Sequence, residues 1–287
     1  MSDAASPVAA TAIGALAVLL WSSLALLTAF AAAIPPFELL ALSFGIAFLA
    51  GTTLIGLKGG GFRSWRQPWP VWLTAFAGLF FYHALYFFAL ETAPPAQASL
   101  TAYLWPLLIV LFSALVAQEP LGWRQLAGAG LGLAGTALLV LRRDGPDSTG
   151  SAPLAGLAAA FGCALVWSVY SVVNRRFRGT PSDMMAGVCG LVALAGLACH
   201  LLFESTVMPD RNAWLALAAL GIGPVGAAFF AWDHATKHGR LAVLGAISYA
   251  APLLSTLLLV ACGRASPTVT LAGAATLIVA GAAIATR

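Results

Sequence analysis

Three tryptophans, Trp21, Trp105 and Trp167, sit near the centres of long apolar stretches of this chain, and a fourth, Trp232, sits toward the end of another. An indole N–H surrounded by hydrocarbon is costly unless it finds an acceptor or a wet cavity. Tryptophan at such depth points to an internal cavity, whose ring faces could stack an aromatic group or hold an ammonium. Trp65, Trp69, Trp72, Trp123 and Trp214 fall near the ends of apolar stretches, where an amphipathic indole belongs to the membrane interface.

Helical spacing adds two stripes. Trp167, Tyr170, Ser171 and Asn174 lie at i, i+3, i+4 and i+7, and Tyr82, His83 and Tyr86 share another face. Packing between helices would account for any one of these residues, whereas several convergent stripes favour a lined cavity. His83 is the one ionisable side chain placed near the midplane, either as a proton-coupling group or as a hydrogen-bonded core histidine. Pro106 and Pro252 each remove a helical hydrogen bond, free the carbonyls of Ala102 and Ser248, and should kink their helices close to these aromatics.

Other chemistry is excluded by what the sequence lacks. No Lys or Arg falls mid-helix to match a phosphate, so phosphorylated substrates are not expected. Asp233, His234 and Lys237 lie near a helix end and suit a gate or ordinary interfacial charge. The run Gly130-Leu-Gly132-Leu-Ala-Gly135 matches a dinucleotide fingerprint but sits inside an apolar helix with no preceding strand; Gly128, Gly132 and Gly135 suit close helix packing instead. Cys163, Cys189, Cys199 and Cys262 are scattered without metal-ligand spacing. No nucleophile elbow, zinc motif or paired-carboxylate arrangement is present, so neither an enzyme, a metal site, a cofactor nor a nucleic-acid partner is expected.

The elements that must position these residues follow from composition. With 61% hydrophobic and 8% charged residues and a mean hydropathy of +0.92, the chain cannot hide its apolar surface in a water-soluble core. It is expected to be an all-α membrane protein. Polar, Pro-rich and charged interruptions leave ten apolar stretches of about 20 residues, each able to cross the bilayer as a helix. They fall near 12–33, 37–57, 70–92, 97–117, 123–142, 153–175, 183–204, 212–235, 240–262 and 268–286. Residues Met1 to Ala10 lack the basic region of a signal peptide, so the first stretch is read as a retained helix. With a cytoplasmic N-terminus, ten Lys and Arg fall inside and four, Arg142, Arg143, Arg211 and Arg264, fall outside. That bias places both termini in the cytoplasm.

The chain also repeats itself at an offset of 146: Trp21-Ser22 recurs as Trp167-Ser168, Tyr103 as Tyr249, Pro106 as Pro252 and Gly135 as Gly281. Two five-helix units are expected, 1–146 and 147–287, joined by the polar segment Arg142 to Ala152. Because five is odd, the second unit enters the bilayer from the opposite side, an inverted-topology repeat with its substrate site near the midplane between the halves.

Two such units, each with a Tyr-x-x-Pro in its fourth span and each ending in a small-residue helix, resemble the EamA repeats of the drug/metabolite transporter superfamily. The similarity runs from Ala89 to Val140 and from Ala231 to Ile284. Leu20-Trp-Ser22, Tyr103-Leu-Trp-Pro106, Ala164 through Tyr170, Asn174, and Ala231-Trp232 followed by His238-Gly239 are similar to the aromatic amino acid exporters of that superfamily. The resemblance implies a bacterial inner-membrane exporter whose central, largely hydrophobic cavity is lined by Trp21, Tyr103, Trp105 and Trp167. Tyr82, His83 and Tyr249 join this set from depth and repeat position. The implied substrates are Phe, Trp and Tyr, with Thr, Met and Leu as candidates, moved by alternating access through a chain that could act as a monomer. A multidrug or quaternary-ammonium exporter of the same fold is the alternative, with a membrane receptor or channel behind it.

Overall fold

Within hydrocarbon no water satisfies backbone N–H and C=O groups, and a chain this apolar meets that demand by closing its hydrogen bonds within helices. The computed structural model describes residues 6–59, 62–115, 122–140, 154–263 and 266–286, and among them all regular structure is helical. The first half contributes α1 (Pro7–Phe30), α2 (Pro36–Leu57), α3 (Trp69–Thr92), α4 (Gln97–Leu115) and α5 (Trp123–Val140). The second contributes α6 (Leu154–Phe177), α7 (Met184–Phe203), α8 (Arg211–His238), α9 (Leu241–Ala261) and α10 (Val269–Thr286). Nine of these, all but α5, are long and apolar enough to cross a membrane among the described residues. The first turn of α5, with Arg124 and Gln125, holds its apolarity below the rest. The connector from Arg142 to Ala152 lies outside the described residues.

Local chemistry sets several boundaries. Pro7 and Pro36 open α1 and α2 at positions whose N–H would have no helical acceptor. Ser6 accepts from the Ala9 N–H at 3.2 Å, so α1 starts five residues before the apolar stretch read from sequence. Asp210 caps α8 in the same way, accepting from the Ala213 N–H at 2.8 Å.

Four helices are interrupted. α1 breaks at Ser23, α4 between Ala102 and Trp105, and α9 at Tyr249. The last two breaks lie just before Pro106 and Pro252, the repeat-related prolines. In α8 the missing N–H of Pro224 is absorbed by a widened π-helical segment, Gly221–Ala227.

The packing respects the repeat. α2 pairs with α7, α4 with α9 and α5 with α10, while α1 packs on α8 and α3 on α6. Exchanging the first five helices for the last five maps this set of pairs onto itself. Backbones touch where glycine allows: a Cβ on Gly128 would stand 2.5 Å from the Gly281 carbonyl oxygen, and one on Gly281 would stand 2.6 Å from that of Gly128. Leu49, Leu54, Leu73, Leu194, Leu201, Phe203 and Leu215 are turned outward and exposed, the surface a lipid solvent requires. The chain is a multi-pass integral membrane protein.

Candidate functional site

The breaks and stripes converge on one place. Trp21 lies just before the α1 break, Trp105 opens the second part of α4, and Trp167 and Trp232 come from α6 and α8. All six ring pairs among these four indoles have centroids between 5.1 and 6.4 Å. Most meet edge to face or tilted, as ring quadrupoles favour, and Trp167 stacks on Trp232 at 22°. Each half of the chain supplies two of the four. The cluster is also where three helix pairs meet, α1 with α8, α3 with α6, and α4 with α9.

Around it stand further rings. Phe229 touches Trp21 at 6.0 Å and Trp167 at 5.9 Å, and stacks on Phe44 at 5.6 Å. Tyr82 lies 5.2 Å from Trp167 and 5.3 Å from His83. The Nδ1 of His83 donates to the Leu79 carbonyl at 2.7 Å, and its ring meets the Phe44 ring at 5.3 Å. His83 thus has a hydrogen-bonded and ring-packed setting. Tyr86 and Ser99 link α3 to α4 through their hydroxyls at 3.1 Å.

The indole N–H groups of Trp21 and Trp232 find acceptors, one supplied by helix irregularity and one by the α6 stripe. Trp21 donates to the Pro224 carbonyl at 3.0 Å, in the π-helical segment that frees it. Trp232 donates to Ser171 Oγ at 3.1 Å. Ser168 donates to the Trp105 carbonyl at 3.0 Å, in the broken region of α4. Trp105, Trp167 and Trp232 are buried, while Trp21, Tyr82, His83 and Tyr103 keep part of their surface accessible.

The expected site residues do not all come together. Trp21, Tyr82, His83, Trp105 and Trp167 form one group, and Tyr103 stands at the α4 break beside it. Tyr249, its repeat mate, is fully buried elsewhere, against Val110 and Ala129, its ring where a Cβ on Gly132 would be. Trp232 and Phe229 belong to the cluster, although neither is among the site residues expected from the sequence. Their signal was present: Phe229, Trp232, Asp233, Thr236 and Lys237 follow helical spacing and are all buried.

Two buried polar clusters flank this core. Asp233 and Lys237, 1% and 0% exposed, form an ion pair of 2.8 Å, so they are not the ordinary interfacial charge considered from sequence. Asn174 donates to Asp233 Oδ1 at 3.0 Å and to Thr236 Oγ1 at 3.0 Å, and Lys237 also donates to the Thr180 carbonyl at 3.2 Å. Arg175 reaches the Gly239 carbonyl beside them. The other cluster joins the start of α2 to the end of α7. Glu204 accepts from the Phe37 and Glu38 N–H groups at 2.8 and 3.0 Å, and its Oε2 lies 2.9 Å from His200 Nδ1. Among the described residues no group of three or more His, Cys, Asp and Glu is placed to hold a metal ion.

Known proteins are similar to this chain. An aromatic amino acid exporter, YddG, of Ancylobacter novellus is 52% identical over 277 residues, 96% of each chain. Exporters of the same name from Salmonella typhimurium and Escherichia coli are 27% and 25% identical over 56% of this chain and 57% of their own. A solved crystal structure, 52% identical, superposes with a TM-score of 0.92 over 98% of both chains. The EamA-like transporter family matches residues 9–141 and again 154–287. Two copies of that family's unit account for nearly the whole chain, which therefore belongs to the EamA-like transporter family.

Proposed function

We propose that this transporter exports aromatic and related neutral amino acids across the bacterial inner membrane by alternating access. It would do so through ten spans arranged as two inverted five-helix repeats, 1–146 and 147–287, with both termini cytoplasmic. The observation that carries this reading is the four-indole cluster, built equally by the two halves where three helix pairs meet. The 52% identical relative bears the name of an aromatic amino acid exporter. The exchange symmetry of the helix pairs supports the inverted repeat, because an odd number of spans per unit turns a two-fold relation into opposite insertion.

In this account Trp21, Trp105, Trp167 and Trp232 part to admit an aromatic side chain between their faces. Tyr82, His83 and Tyr103 line the partly accessible approach. Tyr249 acts at a distance, seating the bend of α9 on Gly132 while Pro106 and Pro252 let α4 and α9 flex. Ring stacking leaves affinity modest, which suits release of an abundant metabolite.

Reconstituted protein tests this directly. Saturable counterflow of labelled Phe or Trp is expected, with Thr weaker and a quaternary ammonium compound weakest. Trp167→Ala is expected to cut flux by about tenfold or more, through loss of ring contact. Unchanged flux and selectivity in Trp167→Ala would remove the indole cluster as the site. Labelling that finds the N-terminus and the Arg142 to Ala152 connector on one side of the bilayer would remove the inverted repeat.

A further inference from the structure

The indoles explain how the ring of an aromatic amino acid is held but leave its ammonium and carboxylate without partners. Resting on the transporter reading above, we infer that Asp233 and Lys237 of α8 are the groups that receive these charges: the closed-state ion pair exchanges partners with the zwitterionic head of the substrate.

Position carries the first part of the argument. Asp233 follows Trp232 directly, and the α6 stripe runs from the indoles to the ion pair residue by residue. Trp167 is in the cluster, Tyr170 packs on Trp167 at 5.3 Å, Ser171 takes the Trp232 N–H, and Asn174 donates to Asp233. Between the two sites the Tyr170 hydroxyl is buried without a hydrogen-bond partner among the described residues, a spare donor at the junction. An amino acid with its ring among the indoles would have its head at this end of the stripe.

Mechanics carries the second. Asn174 belongs to α6, which pairs with α3, whereas Asp233 and Lys237 belong to α8, which pairs with α1. The network therefore ties one helix pair to another, and separating them parts Asn174 and Thr180 from the ion pair. A charge stripped of its partners in a low-dielectric setting is strongly disfavoured unless another charge replaces them.

Charge balance carries the third. A zwitterion offers one positive and one negative group, so Asp233 takes the ammonium, Lys237 takes the carboxylate, and no net charge is left buried. A monocation of the same size would satisfy Asp233 and strand Lys237; an anion would do the reverse. The pair thus selects amino acids over aromatic amines, aromatic acids and quaternary ammonium compounds.

Competition against labelled Phe counterflow in proteoliposomes tests this, using phenylalanine, phenethylamine and 3-phenylpropionate as competitors. The parent should prefer phenylalanine to either analogue by about tenfold or more. In the double variant Asp233→Asn/Lys237→Met, which leaves no lone buried charge, that preference should fall below about threefold. In Lys237→Met alone, phenethylamine should gain about tenfold relative to phenylalanine. Quenching of intrinsic tryptophan fluorescence by the same three compounds in detergent reads the same ratios where a variant binds but does not turn over. A double variant that keeps the parent's preference, or a parent that ignores the missing carboxylate, overturns the inference and leaves amino acid transport standing. A parent with no saturable Phe or Trp flux overturns the transport reading itself.

Discussion

The two buried polar clusters contain similar side chains and do different things. Around His200, the carboxylate of Glu204 is engaged by the backbone: it accepts the Phe37 and Glu38 N–H groups at the first turn of α2, where the helix leaves donors unsatisfied and favours negative charge. Glu38 in turn accepts the Val207 N–H at 2.9 Å, and Thr206 meets His200 Nε2 at 2.9 Å. The bonds to Phe37, Glu38 and Val207 join α2 to the end of α7 or to the residues just after it, helices already packed as a pair, and the Thr206–His200 bond lies within that same end. Such a staple can stay closed while helix pairs move against one another. Around Asp233 the ion pair lies within α8, while Asn174 of α6 and the Thr180 carbonyl just after α6 bond it, tying it to a second helix pair. Burial and charge alone therefore do not mark a working residue. What marks it is whether the motion that function demands would have to break its bonds.

The contrast can be broken at several points. Lys237→Met should lower stability by about 3–5 kcal/mol, because it leaves the Asp233 carboxylate buried without its cation. Thermal unfolding in detergent would read this, and Asp233→Asn/Lys237→Met should recover most of it; a single variant as stable as the parent would place the pair in water. Glu204→Ala should cost about 2 kcal/mol by orphaning two backbone donors and His200. Its ranking of Phe, phenethylamine and 3-phenylpropionate should stay that of the parent, and a changed ranking would erase the distinction between staple and tie. Trp21→Phe keeps a ring in the cluster but surrenders the bond to the Pro224 carbonyl, for about 1 kcal/mol. Slower Phe flux with little change in half-saturation would be the sign that this bond steadies the π-helical segment. Thr206→Val, at the edge of the staple, should cost about 0.5–1 kcal/mol and leave flux unchanged.

Much of this molecule was legible in its residues, and the failures are as instructive as the successes. The apolar stretches became helices because backbone satisfaction in hydrocarbon leaves no other choice, and the α6 stripe emerged as read because its period is local. Trp21, Trp105 and Trp167 were legible through depth, a cost that any buried indole carries. A helix expected over 212–235 leaves Trp232 near its end. In the structure α8 runs to His238, and the indole reaches inward from there to its neighbours. The repeat relates Tyr249 to Tyr103, and there the symmetry of the sequence exceeds the symmetry of side-chain packing.

By itself, then, the sequence determined the helices, the duplication at 146 residues, the prolines near two of the breaks and the presence of deep aromatic and polar stripes. Each of these follows from composition or from contacts a few residues apart. Only the tertiary structure decided that α1 packs on α8 and α3 on α6, that four indoles meet, and that Asp233 and Lys237 are sealed from water. Those outcomes depend on which faces of distant helices touch. In a chain whose helices are apolar on nearly every side, no local pattern names the neighbour.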